Sequence, residues 1–172
     1  MIPQIKKILY TTDLSDNSAY VFRYAINFAK MHDAKIIILH ALEKTPPTIQ
    51  ALVGSEITDE EQQKILREKI TYASNRIHKR LEVFCEKELK EDPECKDRVE
   101  SIEVCEGFPP HIILRLADEH NCDAIIMGTH AKGAIAYTFL GSTAKRVLRR
   151  TRKPVFIIPL PKGEIDITYH GI

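Results

Sequence analysis

Apolar residues along this chain come in two rhythms. Some form short continuous runs: Lys7–Thr12 (KILYTT), Lys35–Ala41 (KIIILHA), Ala124–Met127 (AIIM) and Pro154–Leu160 (PVFIIPL). Strands apolar at successive positions are covered on both faces, as parallel strands between helices are. Arg98–Cys105 (RVESIEVC) differs, with Val99, Ile102 and Val104 apolar among polar neighbours, which suits an edge strand. The other rhythm has helical spacing. Phe22, Ala25, Ile26 and Ala29 predict a helix from about Asp16 to Met31. Leu66, Ile70, Ala73, Ile77, Leu81 and Phe84 predict a long one from Thr58 to about Leu89, packed on the sheet. Ile112, Ile113, Leu116 and Ala117 predict His111–His120, and a last helix covers Thr143–Arg150.

Punctuation agrees with this division. Thr58-Asp59-Glu60-Glu61 has the form of a capping box. Ser15 or Asp16 is placed to cap the first helix, and His32-Asp33 end its pattern. Glu43–Ile57, with Pro46, Pro47 and Gly54, reads as a loop over the strand ends. Glu91–Asp97 reads as a charged turn around Pro93. Residues 1–160 form one domain, and 161–172 are a C-terminal tail, either a short extra strand or a disordered end.

The order β-α-β-α-β-α-β-α-β predicts an α/β fold: a doubly wound, five-stranded parallel sheet of order 3-2-1-4-5 with helices on both faces. In that order strands one and four flank the crevice where such sheets bind ligands. Thr11–Leu14 then lies opposite Gly128–Lys132.

Composition narrows the partners. A net charge of +1 argues against nucleic acid or acidic lipid as the main partner. No apolar run is long enough to span a bilayer, and the N-terminus lacks signal-peptide character, so a cytoplasmic location is expected. Cys85, Cys95, Cys105 and Cys122 form no C-x-x-C pair, so free thiols are expected rather than a metal site.

The chemistry gathers in Met127–Ser142, MGTHAKGAIAYTFLGS. A strand, a loop with Gly128, Gly133 and Gly141, and then a helix make a phosphate-binding arrangement, because the first amides of a helix lack internal acceptors. Gly141, Ser142 and Thr143 begin that helix and offer N–H groups and hydroxyls; Ser142 alternatively caps it. Lys132 either neutralises phosphate charge or is a solvated loop residue, and His130 either stacks on a ligand or does not. Across the crevice, Asp13 suits a ribose hydroxyl or a water-linked cation, or caps the first helix. Two known nucleotide loops are disfavoured: Ala134-Ile135 stand where a P-loop needs Lys and Ser/Thr, and no Rossmann G-x-G-x-x-G occurs; the nucleophile elbow G-x-S-x-G of Ser-His-Asp hydrolases is absent as well.

From Lys6 to Leu160 the chain resembles the universal stress protein family. The resemblance runs through KKILYTTDLSDNSAYVFRYAINFAK, KIIILHALE, VCEGFPPHIILRLADEHNCDAIIMGTHAKG and LGSTAKRVLRRTRKPVFIIPL. The nucleotide-binding branch carries G-x-x-G-x9-G-[ST], and Gly128, Ala131 and Gly141-Ser142 occupy that frame. The resemblance implies a dimeric stress-response or signalling module that binds ATP (ADP and AMP being alternatives) with little or no turnover. It implies Asp13 at the ribose, the Ala41 backbone at adenine, Thr11 on the pocket wall, and Gly128, His130 and Ala131 near ribose and phosphates. Gly141, Ser142 and Thr143 would hold the phosphates, with Mg or Mn accompanying them.

Ala131 departs from the motif, which has glycine there. A left-handed alanine costs about 1–2 kcal/mol, which amounts to roughly tenfold in affinity. Two other readings follow: a nucleotide-independent interaction protein of the same fold, or a slow ATP hydrolase, for which Asp13 is the only nearby carboxylate. A homodimer is expected through Pro154–Leu160, an apolar strand at the sheet edge, with no nucleic-acid or membrane partner.

Overall fold

The computed structural model describes residues 2–15, 17–43, 58–88, 95–129 and 140–159. The predicted loop Glu43–Ile57, the tail 161–172 and Leu160 fall wholly or largely outside them. Strands β1 (Lys7–Thr11), β2 (Lys35–Leu42), β3 (Val99–Glu106), β4 (Ala124–Gly128) and β5 (Val155–Ile158) form one sheet in the order β3-β2-β1-β4-β5. Every neighbouring pair is parallel. The crossovers are α1 (Ser18–His32), α2 (Asp59–Glu88) with the single turn α3 (Cys95–Arg98), α4 (Pro109–Glu119) and α5 (Ser142–Arg150). Sheet order and class are those read from the apolar runs.

Alternation along each strand divides the core in two. Ile8, Tyr10, Ile36, Ile38 and Ile126 face α1 and α2, where they meet Phe22, Ala25, Ile26, Ala73 and Ile77. Leu9, Ile37, Leu39, Ile125 and Met127 face α4 and α5, against Ile113, Leu116 and Val147. The three central strands are buried on both faces, hence their unbroken apolar runs. At the edge, β3 is half-buried along nearly its whole length, as its mixed sequence requires.

The capping box forms. The Thr58 amide donates to Glu61 Oε2 at 3.0 Å, and the Glu61 amide donates back to Thr58 Oγ1 at 3.3 Å. Several details differ from the sequence reading, among them the start of α4 at Pro109 rather than His111. α1 starts at Ser18 behind Asn17, which makes no side-chain cap bond. Its delay has a cause: Leu14 takes φ +59°, and this turn uses up the residues that would have begun the helix. Within the expected charged turn, Cys95–Arg98 winds into a helical turn. In α2 the stripe is buried only from Ala73 onward, while Leu66 and Ile70 stay half-exposed.

At the start of β4, Asp123 ties that strand to β1. Its Oδ2 accepts from the Lys6 amide at 2.7 Å and the Lys7 amide at 2.9 Å, while its own amide donates to the Lys7 carbonyl at 2.8 Å. β1 and β4 then run paired only from Ile8 to Tyr10 against Ala124 to Ile126.

Candidate functional site

Past Tyr10 and Ile126 the two central strands part. The Thr12 amide donates to Leu39 of β2 at 2.9 Å, and the Thr129 amide donates to Ile158 of β5 at 3.1 Å. Each strand thus follows its outer neighbour, and α1 and α5 leave toward opposite faces of the sheet. The gap is a cavity of about 420 Å³, within the roughly 300–1,000 Å³ of small-molecule pockets. Thr11, Thr12 and Asp13 line one side; Met127, Gly128 and Thr129 line the other. The end of β2 contributes His40, Ala41 and Glu43, α4 contributes Pro109 and Ile113, and the start of α5 contributes Gly141 to Ala144.

Asp13–Ser15 with Asn17 and Ser18, the strap, form the described part of the β1 lip. Asp13 Oδ1 accepts from the Ser15 amide at 2.9 Å, closing an Asx turn. Thr12 Oγ1 accepts from the Leu14 amide at 3.1 Å. Between these bonds Leu14 holds its left-handed conformation with its side chain buried. Ser18 donates its amide (3.1 Å) and hydroxyl (2.7 Å) to the Ser15 carbonyl. Two long-range anchors fix the strap: Tyr10 OH donates to the Ser18 carbonyl at 2.7 Å, and Arg80 of α2 donates Nη1 to the Leu14 carbonyl at 2.7 Å. Burial pushes the Tyr10 phenol far above its ordinary range, so it stays a donor. Asp13 itself remains exposed at the lip.

The opposite lip is a helix start without a cap. Gly141 precedes α5 and makes no side-chain cap bond. Its amide donates to the Thr129 carbonyl at 2.8 Å, which pins the two ends of the intervening segment together. Gly141 therefore contributes backbone shape, and the amides without an acceptor among the described residues begin with Ser142 and Thr143. No acidic residue stands in the first turn, whereas α2 carries three there. Ser142 and Thr143 hydroxyls add donors beside these amides, so this lip suits an anion.

Gly128 ends β4 on the cavity wall, where a Cβ would meet Val21 Cγ2 at 3.2 Å. At the far end, His40 Nδ1 stands 2.8 Å from the Thr12 carbonyl. Since a carbonyl only accepts, Nδ1 carries the proton, and the ring ties the β1 and β2 ends together.

Thr11, Asp13, Ala41, Gly128, Gly141, Ser142 and Thr143, spread over most of the sequence, thus line one cavity. His130, Ala131 and Lys132 lie outside the described residues, as does Gly133. Sequence reasoning passed over Thr12, His40 and Arg80. Thr12 and His40 sit beside Asp13 and Ala41 and were open to the same strand-end argument. Arg80 lies on the outer rhythm of a long charged helix, and nothing in its neighbourhood marks it. Among the described residues no three His, Cys, Asp or Glu side chains are grouped to hold a metal ion, and no helix is long and apolar enough to cross a membrane.

Known proteins share this architecture. The model of the "Universal stress protein family" matches residues 4–159. Universal stress protein MJ0531 of Methanocaldococcus jannaschii is 31% identical over 160 residues, covering 92% of this chain and 85% of the relative. Universal stress protein MJ0577 of the same organism is 27% identical over 161 residues, covering 89% and 94%. The solved structure of MJ0577 superposes with a TM-score of 0.69, covering 94% of this chain and all of that one. A universal stress protein solved in complex with cAMP shares the fold at a TM-score of 0.51 and 23% identity, covering 91% and 98%.

Proposed function

The chain belongs to the universal stress protein family, and from that premise we propose that its cavity binds an adenine nucleotide, ATP before ADP or AMP, with little or no turnover. The observation that carries this reading is the pairing of two unlike lips across one gap. Asp13 on the β1 side offers a carboxylate for ribose hydroxyls, and the uncapped start of α5 offers amides and hydroxyls for phosphates. Ala41 stands at the end of β2 where its backbone can meet the base edge, with Thr11 on the wall beneath. The family neighbour solved with cAMP supports an adenine nucleotide as the ligand class.

Ala131 bears on affinity rather than on the site's existence, since the α5 lip does not depend on it. His130, Ala131 and Lys132 would complete the phosphate side. A Mg or Mn ion travelling with the phosphates finds oxygen donors in Asp13 and Glu43, both at the cavity. Slow turnover follows from the same inventory. Asp13 and Glu43 are the carboxylates at the described cavity wall, and Asp13 spends one oxygen holding the Ser15 amide. We also propose a homodimer through the Pro154–Leu160 edge. Among the described residues β5 pairs only with β4, and Val155, Phe156 and Ile157 remain half-buried on it. The cellular role in this reading is a cytoplasmic stress-response or signalling module.

Calorimetry on nucleotide-free protein tests the proposal. ATP should bind saturably, and Asp13→Ala should weaken it. Ser142→Pro is the sharper variant. Proline is accommodated at the first helical position, and Gly141 at φ −57°, ψ 155° already has the backbone a following proline requires. The fold should stand while the phosphate-facing N–H and hydroxyl of Ser142 are both lost, at about tenfold or more in affinity. No binding of ATP, ADP or AMP to the wild type would overturn the reading in favour of a nucleotide-independent interaction protein.

A further inference from the structure

Of the two side chains that anchor the strap carrying Asp13, Arg80 reaches it from outside the site. Arg80 sits in the buried half of α2, one turn beyond Ile77. Its Nη1 lies 2.7 Å from the Leu14 carbonyl, 3.3 Å from the Ser15 carbonyl and 3.2 Å from Ser18 Oγ. These atoms lie on or just after Leu14, the one residue with a left-handed backbone among the described residues of the lip. A non-glycine residue keeps such a conformation only where its surroundings over-determine it. Here the local bonds come from Thr12 and Asp13, and the long-range bond to the Leu14 carbonyl comes from Arg80.

Behind the strap lies a second, smaller space of about 50 Å³ walled by Leu14, Phe22, Ile38, Ile77 and Arg80. The strap therefore lies between two cavities, which share Tyr10, Thr12 and Ser18 in their linings. A guanidinium bridging three oxygens is what stands in that space. We infer that Arg80 is a positioning residue for the nucleotide site: it fixes the Leu14 turn and, through it, the place of the Asp13 carboxylate. It touches no ligand. It also makes α2 a route by which a change at that helix alters affinity at Asp13. The inference rests on the nucleotide reading for its ligand and on the geometry alone for its coupling.

The test is a double-mutant cycle with Arg80→Met and Asp13→Ala in the full chain, read by ATP calorimetry. Arg80→Met should weaken ATP about tenfold with Asp13 present and by less than about twofold when residue 13 is alanine. A merely structural role would give the same loss in both backgrounds, and that result overturns the inference. Arg80→Lys should recover most of the affinity, because an ammonium carries three protons for the three oxygens. Hydrogen–deuterium exchange over residues 12–18 reads the coupling without any ligand. Arg80→Met should speed exchange of the Leu14 and Ser15 amides at least about fivefold while the protection of β1 stays as in wild type. If the wild type binds no adenine nucleotide, the nucleotide reading fails, and the exchange arm alone decides whether Arg80 holds the turn. Unchanged exchange in that variant overturns the inference in either case.

Discussion

Replacing Asp123 by alanine removes the tie between the first residues of β1 and the start of β4. The carboxylate accepts two backbone N–H groups through one oxygen, at 2.7 and 2.9 Å, across more than a hundred residues of sequence. A hydrogen bond to a charged group is worth about 1.5–3 kcal/mol, less where water can take over. The Lys6 amide is exposed, so its share is under about 1 kcal/mol. The Lys7 amide is partly buried and is left with nothing in exchange, so its share is about 1.5 kcal/mol. Together they come to about 2 kcal/mol, which for a domain of this length lowers Tm by roughly 4–8 °C. Asp123→Asn keeps a carbonyl oxygen and should lose about half of that. Urea and thermal melts followed by circular dichroism measure both. Because Asp123 stands at the opposite end of the strands from the cavity, ATP affinity should move by less than about twofold. An alanine variant within about 0.5 kcal/mol of wild type would refute the reasoning.

Three other outcomes are expected. Gly128→Val should cost about 1–3 kcal/mol of stability through its clash with Val21 and weaken ATP at least about tenfold, read by melts and calorimetry. Thr58→Ala should cost about 1 kcal/mol locally; since α2 buries little before Ala73, the loss should show as faster amide exchange in its first turns and leave Tm nearly unchanged. Burial raises the Cys122 thiol from 9.0 to about 11, so between those values the unfolded chain gives up its proton first and stability falls as pH rises. Cys122→Ala should flatten that slope in melts from pH 8.5 to 10.5, leaving the smaller contribution of Tyr10, which is raised in the same direction.

The sheet could be read from the chain because burial on both faces leaves a mark that needs no partner to interpret. Ile36–Leu39 and Ala124–Met127 are apolar at every position, and only a central strand asks for that. The strand-end rule then set Thr11 and Asp13 opposite Gly128 around one gap, and the family resemblance added Ala41. What stayed hidden depends on three-dimensional neighbours. Leucine is no turn residue, so the left-handed Leu14 has no local signature, and Arg80 reaches it from 66 positions away. The Gly141 amide looked available because a glycine before a helix does not reveal that Thr129 claims it. Likewise the α2 stripe promised packing from Leu66. Yet a 30-residue helix spans about 45 Å, well beyond the roughly 27 Å of an eight-residue strand, so part of it overhangs the sheet.

The brief pairing of β1 with β4 has a mechanical side. β2 and β3 share seven register pairs and β1 and β2 share five, but the central seam has only three. The β1–β4 seam is therefore a short spine, and α1 packs across it, with the Phe28 and Phe156 rings 4.5 Å apart and Val21 beside Gly128. Asp123 staples that spine at its closed end. Past that staple the strands diverge toward the cavity, so a ligand touching both lips would join the β1 side to the β4 side where the ladder no longer does.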